Sequence, residues 1–74
     1  MYYYFFMEWN DKIKQARLLK GISQQNVANM LGITRGCYAH YEEGIREPSI
    51  TLIKSICEVL EISADYLVGI NDNY

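Results

Sequence analysis

Cysteine, proline and histidine are scarce in this sequence, with two, one and one among 74 residues. Two cysteines without metal-ligand spacing give neither a disulfide framework nor a zinc site. One histidine and no evident carboxylate pair offer little for acid–base catalysis, and no apolar run approaches the roughly 20 residues that cross a membrane. The sequence therefore predicts no enzyme, no cofactor, no metal site and no membrane association, and its free thiols favour a reducing, cytoplasmic location.

The hydrophobic residues follow the period of helices. Half of all residues are hydrophobic, and a chain of this size buries only about 60% of its unfolded surface, so we expect one small domain. The predicted N-caps are Asn10, Ser23, Thr34, Ser49 and Ser63. The predicted inward stripe of the fourth helix is Ile50, Ile53, Ile56, Cys57 and Leu60. Because the last helix is expected to end at Gly69, the prediction is a compact all-α bundle of five helices.

Residues 23–42 carry the most informative pattern, two short helices broken by one glycine. A glycine supplies the left-handed residue that a tight turn between helices needs. At about 100° per residue, Tyr38 and Tyr41 lie on one side of the second helix, and Gly36 and His40 lie on the other. The first side is predicted to be core. The second is small and polar, as a helix placed in the DNA major groove requires.

Charge is distributed unevenly along the chain, whose net charge is −2 at pH 7. Residues 12–46 hold six basic and two acidic side chains, whereas residues 47–74 hold one basic and five acidic. We therefore expect the positive charge on the DNA-facing half. The acidic remainder is expected to weaken non-specific binding and to make affinity depend on a dimer and a correct site.

Residues 9–69 resemble the Cro/C1-type (XRE-like) helix-turn-helix family of phage and bacterial repressors. The resemblance runs on through Tyr-Glu-Glu-Gly-Ile-Arg-Glu-Pro-Ser at 41–49 and Ser-Ala-Asp-Tyr-Leu-Val-Gly at 63–69. The residues at matching spacing are Ser23, Gln24, Ala28, Gly32, Glu42, Gly44, Pro48 and Gly69. This resemblance implies a lambda-repressor-like DNA-binding domain whose third helix is the recognition helix.

Base-reading residues are expected on the outer face of that helix. Arg35 could grip guanine bidentately or reach only a phosphate, and we expect base contact. Gly36 either lets the backbone approach the bases closely or reflects a site read at few positions. His40 is expected to contact a base or a phosphate, the alternative being a solvated surface histidine. Cys37 completes the predicted set, and a metal shared by Cys37 and His40 is disfavoured because no third ligand is near.

The resemblance also implies contacts that fix the domain on the duplex. Gln24, Thr34 and Arg46 match positions that contact the phosphate backbone, and the alternative for the first two is helix capping and solvation alone. An arginine of the first helix pairs in the family with the glutamate that ends the third, here Arg17 and Glu42. We expect this structural salt bridge to hold the recognition helix on the scaffold while adding little net stability.

Residues 1–8 are the least familiar part, because Met-Tyr-Tyr-Tyr-Phe-Phe-Met holds five of the ten aromatic residues. The segment lacks a basic region and is too short for a signal or membrane helix. We interpret it as an aromatic arm, which either pairs with its counterpart in a dimer as an antiparallel ribbon or folds back over the bundle. Residues 70–74 are interpreted as a C-terminal tail.

The predicted function is sequence-specific DNA binding by a transcriptional regulator. We expect a repressor that binds a pseudo-palindromic, double-stranded operator as a homodimer, with helix three of each copy in the major groove. The leading alternative is an antitoxin-type protein-interaction module, which neutralises a partner protein through its acidic C-terminal half and autoregulates its operon. A helix-turn-helix fold that has lost DNA binding is the third hypothesis.

Overall fold

The computed structural model describes residues 9–68, which form five helices and no strand. The helices are α1 Trp9–Lys20, α2 Gln24–Leu31, α3 Arg35–Glu42, α4 Ile50–Leu60 and α5 Ala64–Val68. The predicted all-α architecture is therefore confirmed. The predicted arm at 1–8, the tail at 70–74 and the helix end at Gly69 lie outside the described residues. No helix within 9–68 is long and apolar enough to span a membrane.

Hydroxyl side chains cap the N-termini of four helices. Each accepts a hydrogen bond from the backbone N–H three residues further on, which satisfies an otherwise unpaired donor. The accepting residues are Ser23, Thr34, Ser49 and Ser63, at 3.0–3.1 Å. The fifth predicted cap, Asn10, is wrong. Trp9 already belongs to α1, and Asn10 Nδ2 donates instead to Glu42 O at the end of α3, 3.2 Å away.

The hydrophobic core draws side chains from all five helices. Its members are Ile13, Ala16, Val27, Ala28, Tyr38, Tyr41, Ile56, Cys57, Leu60, Ile62, Tyr66 and Leu67. Tyr38 is the largest fully buried side chain, and Ile56 is also fully buried. Burying an aliphatic side chain of that size contributes about 1.5–3 kcal/mol. The inner face of α3 is therefore fixed by packing, and its outer face is left to solvent.

The predicted stripe of α4 is correct over its last two turns and wrong at its start. Ile56, Cys57 and Leu60 are buried and Ile53 is half-buried, but Ile50 is 75% exposed. Ile50 is the first residue of α4 and adjoins the exposed loop 43–49. Helical period gives the direction of a side chain but not whether a neighbour covers it, so the sequence pattern could not show this exposure.

The turn between α2 and α3 sets the angle of the helix-turn-helix pair. Gly32 ends α2 in the left-handed conformation with φ 75°. Ile33 N then donates to Ala28 O at 3.0 Å, which closes the last turn of α2. Because a Cβ disfavours this conformation, the predicted role of Gly32 as the turn residue follows from its missing side chain.

Candidate nucleic-acid interface

The outer face of α3 is open to solvent along its length. Arg35, Gly36 and His40 are exposed, and Cys37 is half-buried with its Sγ 3.7 Å from Tyr41 Oη. The structure therefore places the four residues predicted to contact bases on the exposed side of α3 or at its margin. The described residues contain no group of three or more histidine, cysteine, aspartate or glutamate side chains that could hold a metal ion.

Gln24 connects the two ends of α3. Its Nε2 donates to Glu42 Oε1 at 3.0 Å, and its Oε1 accepts a hydrogen bond from Arg35 Nη1 at 3.0 Å. A carboxylate only accepts hydrogen bonds, so the contact with Glu42 fixes which end of the Gln24 amide faces Arg35. The side chain that the resemblance assigned to a phosphate contact thus also positions the guanidinium at the start of α3.

Arg17 and Glu42 form a buried ion pair between α1 and α3. Arg17 Nε lies 2.6 Å from Glu42 Oε2, and Arg17 Nη2 lies 3.3 Å from Glu42 Oε1. The two side chains are 10% and 2% exposed. Arg17 Nη1 also donates to Ile22 O at 2.9 Å, so three guanidinium nitrogens have acceptors. Two-point contact of this kind fixes orientation as well as separation.

Together these contacts make one continuous network, which we call the α3 network: Arg17, Glu42, Gln24 and Arg35. It runs from the scaffold helix α1, through the last turn of α3, to the exposed start of the same helix. The sequence analysis predicted the Arg17–Glu42 ion pair. It assigned Gln24 to a phosphate contact and Arg35 to a base contact, with no link between the two. The bond between Gln24 and Arg35 was missed, because residues 11 positions apart on different helices carry no periodic signal.

Ionisation in the α3 network favours the charged pair. Burial raises the pKa of the Glu42 carboxyl, but the hydrogen bonds from Arg17 and Gln24, with the nearby Tyr38 hydroxyl, outweigh burial, and the net pKa lies below the usual value. The hydrogen bond to Glu42 raises the pKa of Arg17. Burial, followed by interaction with Glu42, raises the pKa of the Tyr38 hydroxyl, so Tyr38 stays neutral beside the pair.

We expect the lowered pKa of Glu42 to make the domain acid-sensitive. A carboxyl with a lower pKa in the folded state stabilises the fold above its unfolded pKa of about 4.3, and this contribution is lost as pH falls through the folded pKa. Urea denaturation of the parent chain and of Glu42→Gln, from neutral pH to about pH 3, measures the effect. The stability of the parent should fall more steeply. Glu43→Gln, at an exposed neighbouring position, should follow the parent, and identical slopes in all three proteins would contradict the expectation.

Gly36 lies in the first turn of α3 with open space around it. A Cβ added there would meet no heavy atom within 4 Å. Since glycine costs about 1 kcal/mol relative to alanine inside a helix, Gly36→Ala should stabilise the free domain by up to about that amount. Urea denaturation tests this, with Gly32→Ala as a control that should destabilise because φ there is 75°. A less stable Gly36→Ala would contradict the expectation. Lost duplex affinity in a stabilised Gly36→Ala would indicate close approach of the backbone to DNA.

The positive charge predicted for residues 12–46 is less available than the sequence indicated. Lys12 is buried; its Nζ donates to Tyr66 O at 2.8 Å and lies 4.9 Å from the centre of the Tyr66 ring. Arg17 is buried with Glu42, and Lys20 pairs with Glu61 on the surface. Of the six basic side chains in that range, two are therefore buried and a third is paired with a carboxylate, which composition could not reveal. The exposed cations that remain are Lys14, Arg35 and Arg46.

The residues assigned to phosphate contacts lie in three different segments. Gln24 begins α2 and is half-buried, Thr34 precedes α3, and Arg46 is exposed in the loop after it. Thr34 Oγ1 accepts from Cys37 N at 3.1 Å, which leaves its own O–H free to donate. Gln24 has a second amide hydrogen beyond the one given to Glu42. Capping and positioning in the free protein are therefore compatible with donation to a phosphate.

Comparison with known proteins identifies relatives across most of the domain. The helix-turn-helix family model matches residues 13–67. YqaE, an uncharacterized HTH-type transcriptional regulator of Bacillus subtilis, is 42% identical over 60 residues, which is 81% of this chain and 52% of YqaE. YazB, a regulator with the same description and organism, is 41% identical over 59 residues, covering 80% of this chain and 86% of YazB. The chain spans about half the length of YqaE and of the prophage-derived B. subtilis regulator YonR, 52% and 56%.

Solved structures share the fold. The P22 c2 repressor protein, in complex with a synthetic operator, has a TM-score of 0.79 and 22% identity, covering 84% of this chain and 94% of the repressor chain. The restriction-modification controller protein C.AhdI from Aeromonas hydrophila has a TM-score of 0.74 and 27% identity, covering 80% and 86%. The likeness to the P22 repressor is evidence for the fold alone.

These matches agree with the residues that carried the resemblance. The relatives are described as transcriptional regulators, which agrees with the prediction that this helix-turn-helix domain is not an enzyme. The matched range 13–67 contains the helix-turn-helix pair and every core residue named above. On the family match, the relatives and the fold together, the chain belongs to the Cro/C1-type helix-turn-helix family.

Proposed function

We propose that this protein is a sequence-specific DNA-binding transcriptional regulator, and that it represses by binding a pseudo-palindromic operator as a homodimer. The observation that carries the proposal is the α3 network. It holds an exposed Arg35 at the start of α3 through contacts that reach the buried Arg17. An arginine that is held before binding loses less side-chain freedom when it meets a base.

The outer face of α3 suits the major groove. Arg35 supplies donors for guanine O6 and N7 near the helix N-terminus, as recognition helices require. Gly36 adds no bulk where the backbone approaches the base edges, and the exposed His40 lies about one turn further along the same face. Cys37, at the margin, contributes a short side chain. Few long side chains are available, so we expect recognition at few base pairs in each half-site.

Phosphate contacts would fix the position of the domain on the duplex. Gln24 and Thr34 flank the start of α3 in the fold, and Arg46 lies just after its end. Thr34 keeps its hydroxyl hydrogen and Gln24 its second amide hydrogen for donation, and the Arg46 side chain is exposed. Because few exposed cations remain in residues 12–46, we expect a shallow salt dependence for one domain. A second copy bound to the same operator would supply the remaining affinity for DNA. We place this binding in the cytoplasm.

The proposal is tested by selecting duplexes from a random library, followed by a salt titration on the best sequence. We expect a palindrome with half-site centres about 34 Å, or one helical turn, apart. A selected palindrome bound by two chains supports the proposal. Absence of any enriched sequence, or equal affinity for all duplexes, would overturn it and favour a protein-interaction role.

A further inference from the structure

The last residue of α3 is held by α1 at two points. Arg17 binds the Glu42 carboxylate, and Asn10 Nδ2 donates to the Glu42 main-chain oxygen at 3.2 Å. The final carbonyls of a helix have no partner within that helix and must find a donor elsewhere. Asn10, at the start of α1, therefore supplies from another helix a donor that α3 itself cannot provide.

The loop after α3 satisfies the other carbonyls at the end of this helix. The N–H groups of residues 43–46 donate at 3.0–3.4 Å to the oxygens of Ala39, His40 and Tyr41. With Asn10 included, each of the last four carbonyls of α3 accepts a hydrogen bond from a residue outside the helix. The last of the loop donors is Arg46 N, so the residue assigned to a phosphate contact belongs to this hydrogen-bonded turn.

Asn10 also lies against the turn itself. Gly44 adopts φ 76°, and a Cβ added there would lie 3.1 Å from Asn10 Nδ2 and 3.3 Å from Asn10 Cγ. The Asn10 amide therefore packs closely on the backbone of Gly44, two residues before Arg46. Since the same amide donates to Glu42 O, Asn10 contacts the chain on both sides of Glu43 and limits where the loop can lie.

We propose that Asn10 is a positioning residue for the phosphate contact of Arg46, a role that rests on the DNA-binding function proposed above. Asn10 holds the loop in the free protein, so the backbone of Arg46 has a defined place relative to α3. A segment that is ordered before binding loses less freedom when it meets the duplex. Because a phosphate contact carries no sequence information, Asn10 acts on the affinity for every duplex and not on the choice between duplexes.

The first measurement uses the full chain without DNA. Asn10→Ala should raise amide hydrogen exchange of Ile45 and Arg46 severalfold, because the helix end that holds their acceptor loses its anchor. Asn10→Asp should do the same, since an ionised carboxylate suits a helix N-terminus but cannot donate to a carbonyl. Gln15→Ala, at an exposed position on the same helix, should leave the exchange unchanged. Unchanged loop exchange in both Asn10 variants would overturn the proposal.

The second measurement is a double-mutant cycle on the selected operator and on an unrelated duplex. Asn10→Ala should lower the affinity for both duplexes by the same factor, about 2- to 10-fold, which is the range for one lost hydrogen bond. In a chain that already carries Arg46→Ala, the same substitution should cause no further loss. Gln15→Ala should have no effect in either background.

The results distinguish this role from the function on which it rests. An equal loss from Asn10→Ala with and without the Arg46 side chain would overturn the role of Asn10 and leave the DNA-binding function in place. A loss confined to the selected operator would also overturn it. A parent chain that binds all duplexes equally would overturn sequence-specific binding alone, because the cycle can then be measured on any duplex. A parent that binds no duplex would overturn both.

Discussion

Replacing Glu42 by alanine is expected to lower the free energy of unfolding by about 3 kcal/mol or more, because the variant leaves Arg17 buried without its carboxylate. Arg17 would keep only Ile22 O among the acceptors it has now. Gln24 would lose the acceptor for its Nε2 at the same time. For a domain of this size that loss is a large part of the total stability. The midpoint and slope of urea denaturation measure it.

The matched control is Glu43→Ala, one residue along and exposed. Exposed substitutions of this kind stay within about 0.5 kcal/mol. Arg17→Met combined with Glu42→Ala should cost much less than the sum of the two single substitutions, since no charge is then left buried. Should Glu42→Ala fail to fold, Glu42→Gln, which still offers an acceptor to Arg17, provides an intermediate case. Equal stabilities for Glu42→Ala and Glu43→Ala would show that the ion pair does not support the fold.

The second large effect is expected from Arg35→Ala on duplex binding. Loss of a bidentate contact to guanine costs about 1–3 kcal/mol, which is roughly 5-fold to over 100-fold in affinity for the selected operator. The same variant should bind operators changed at that base pair as well as it binds the original. Fluorescence anisotropy with the selected duplex and its single-base variants measures both quantities.

Arg46→Ala is the control for charge. It removes one exposed cation from the loop after α3, so it should weaken binding equally for all duplexes and reduce the salt slope by about 1. Gln24→Ala should lower discrimination between operators less than Arg35→Ala and more than Arg46→Ala, because Arg35 remains but loses its hydrogen bond. If Arg35→Ala and Arg46→Ala behave alike, Arg35 contacts a phosphate and the bases are read elsewhere.

Local chemistry explains which parts of the fold were predictable. Ser23, Thr34 and Ser49 cap helices because each side chain reaches a donor three residues away, and the sequence contains that whole interaction. The helix-turn-helix pair is predictable for the same reason, since its turn depends on one glycine. Helical period also assigned the two faces of α3 correctly.

Contacts between distant segments explain the failures. Asn10 was assigned as a cap, but it donates to the end of α3, 32 positions away. Lys12 was counted as exposed charge, but it reaches a carbonyl of α5, 54 positions away. Ile50 has the period of a core residue, but none of residues 9–68 covers it. In each case the outcome depends on where another helix lies, which no window of sequence contains.

The fixed orientation of the Gln24 amide limits which side chains can replace Arg35 when mutation changes the binding specificity. With Nε2 committed to Glu42, only an oxygen faces position 35. Asparagine, glutamine and lysine can still donate to that oxygen, and these residues favour adenine or guanine. Aspartate and glutamate accept hydrogen bonds from cytosine. At position 35 either carboxylate would face the Gln24 oxygen, which is also an acceptor, and would be repelled by the buried Glu42 carboxylate. One hydrogen-bond orientation behind the recognition helix therefore biases the bases that this surface can evolve to read toward purines.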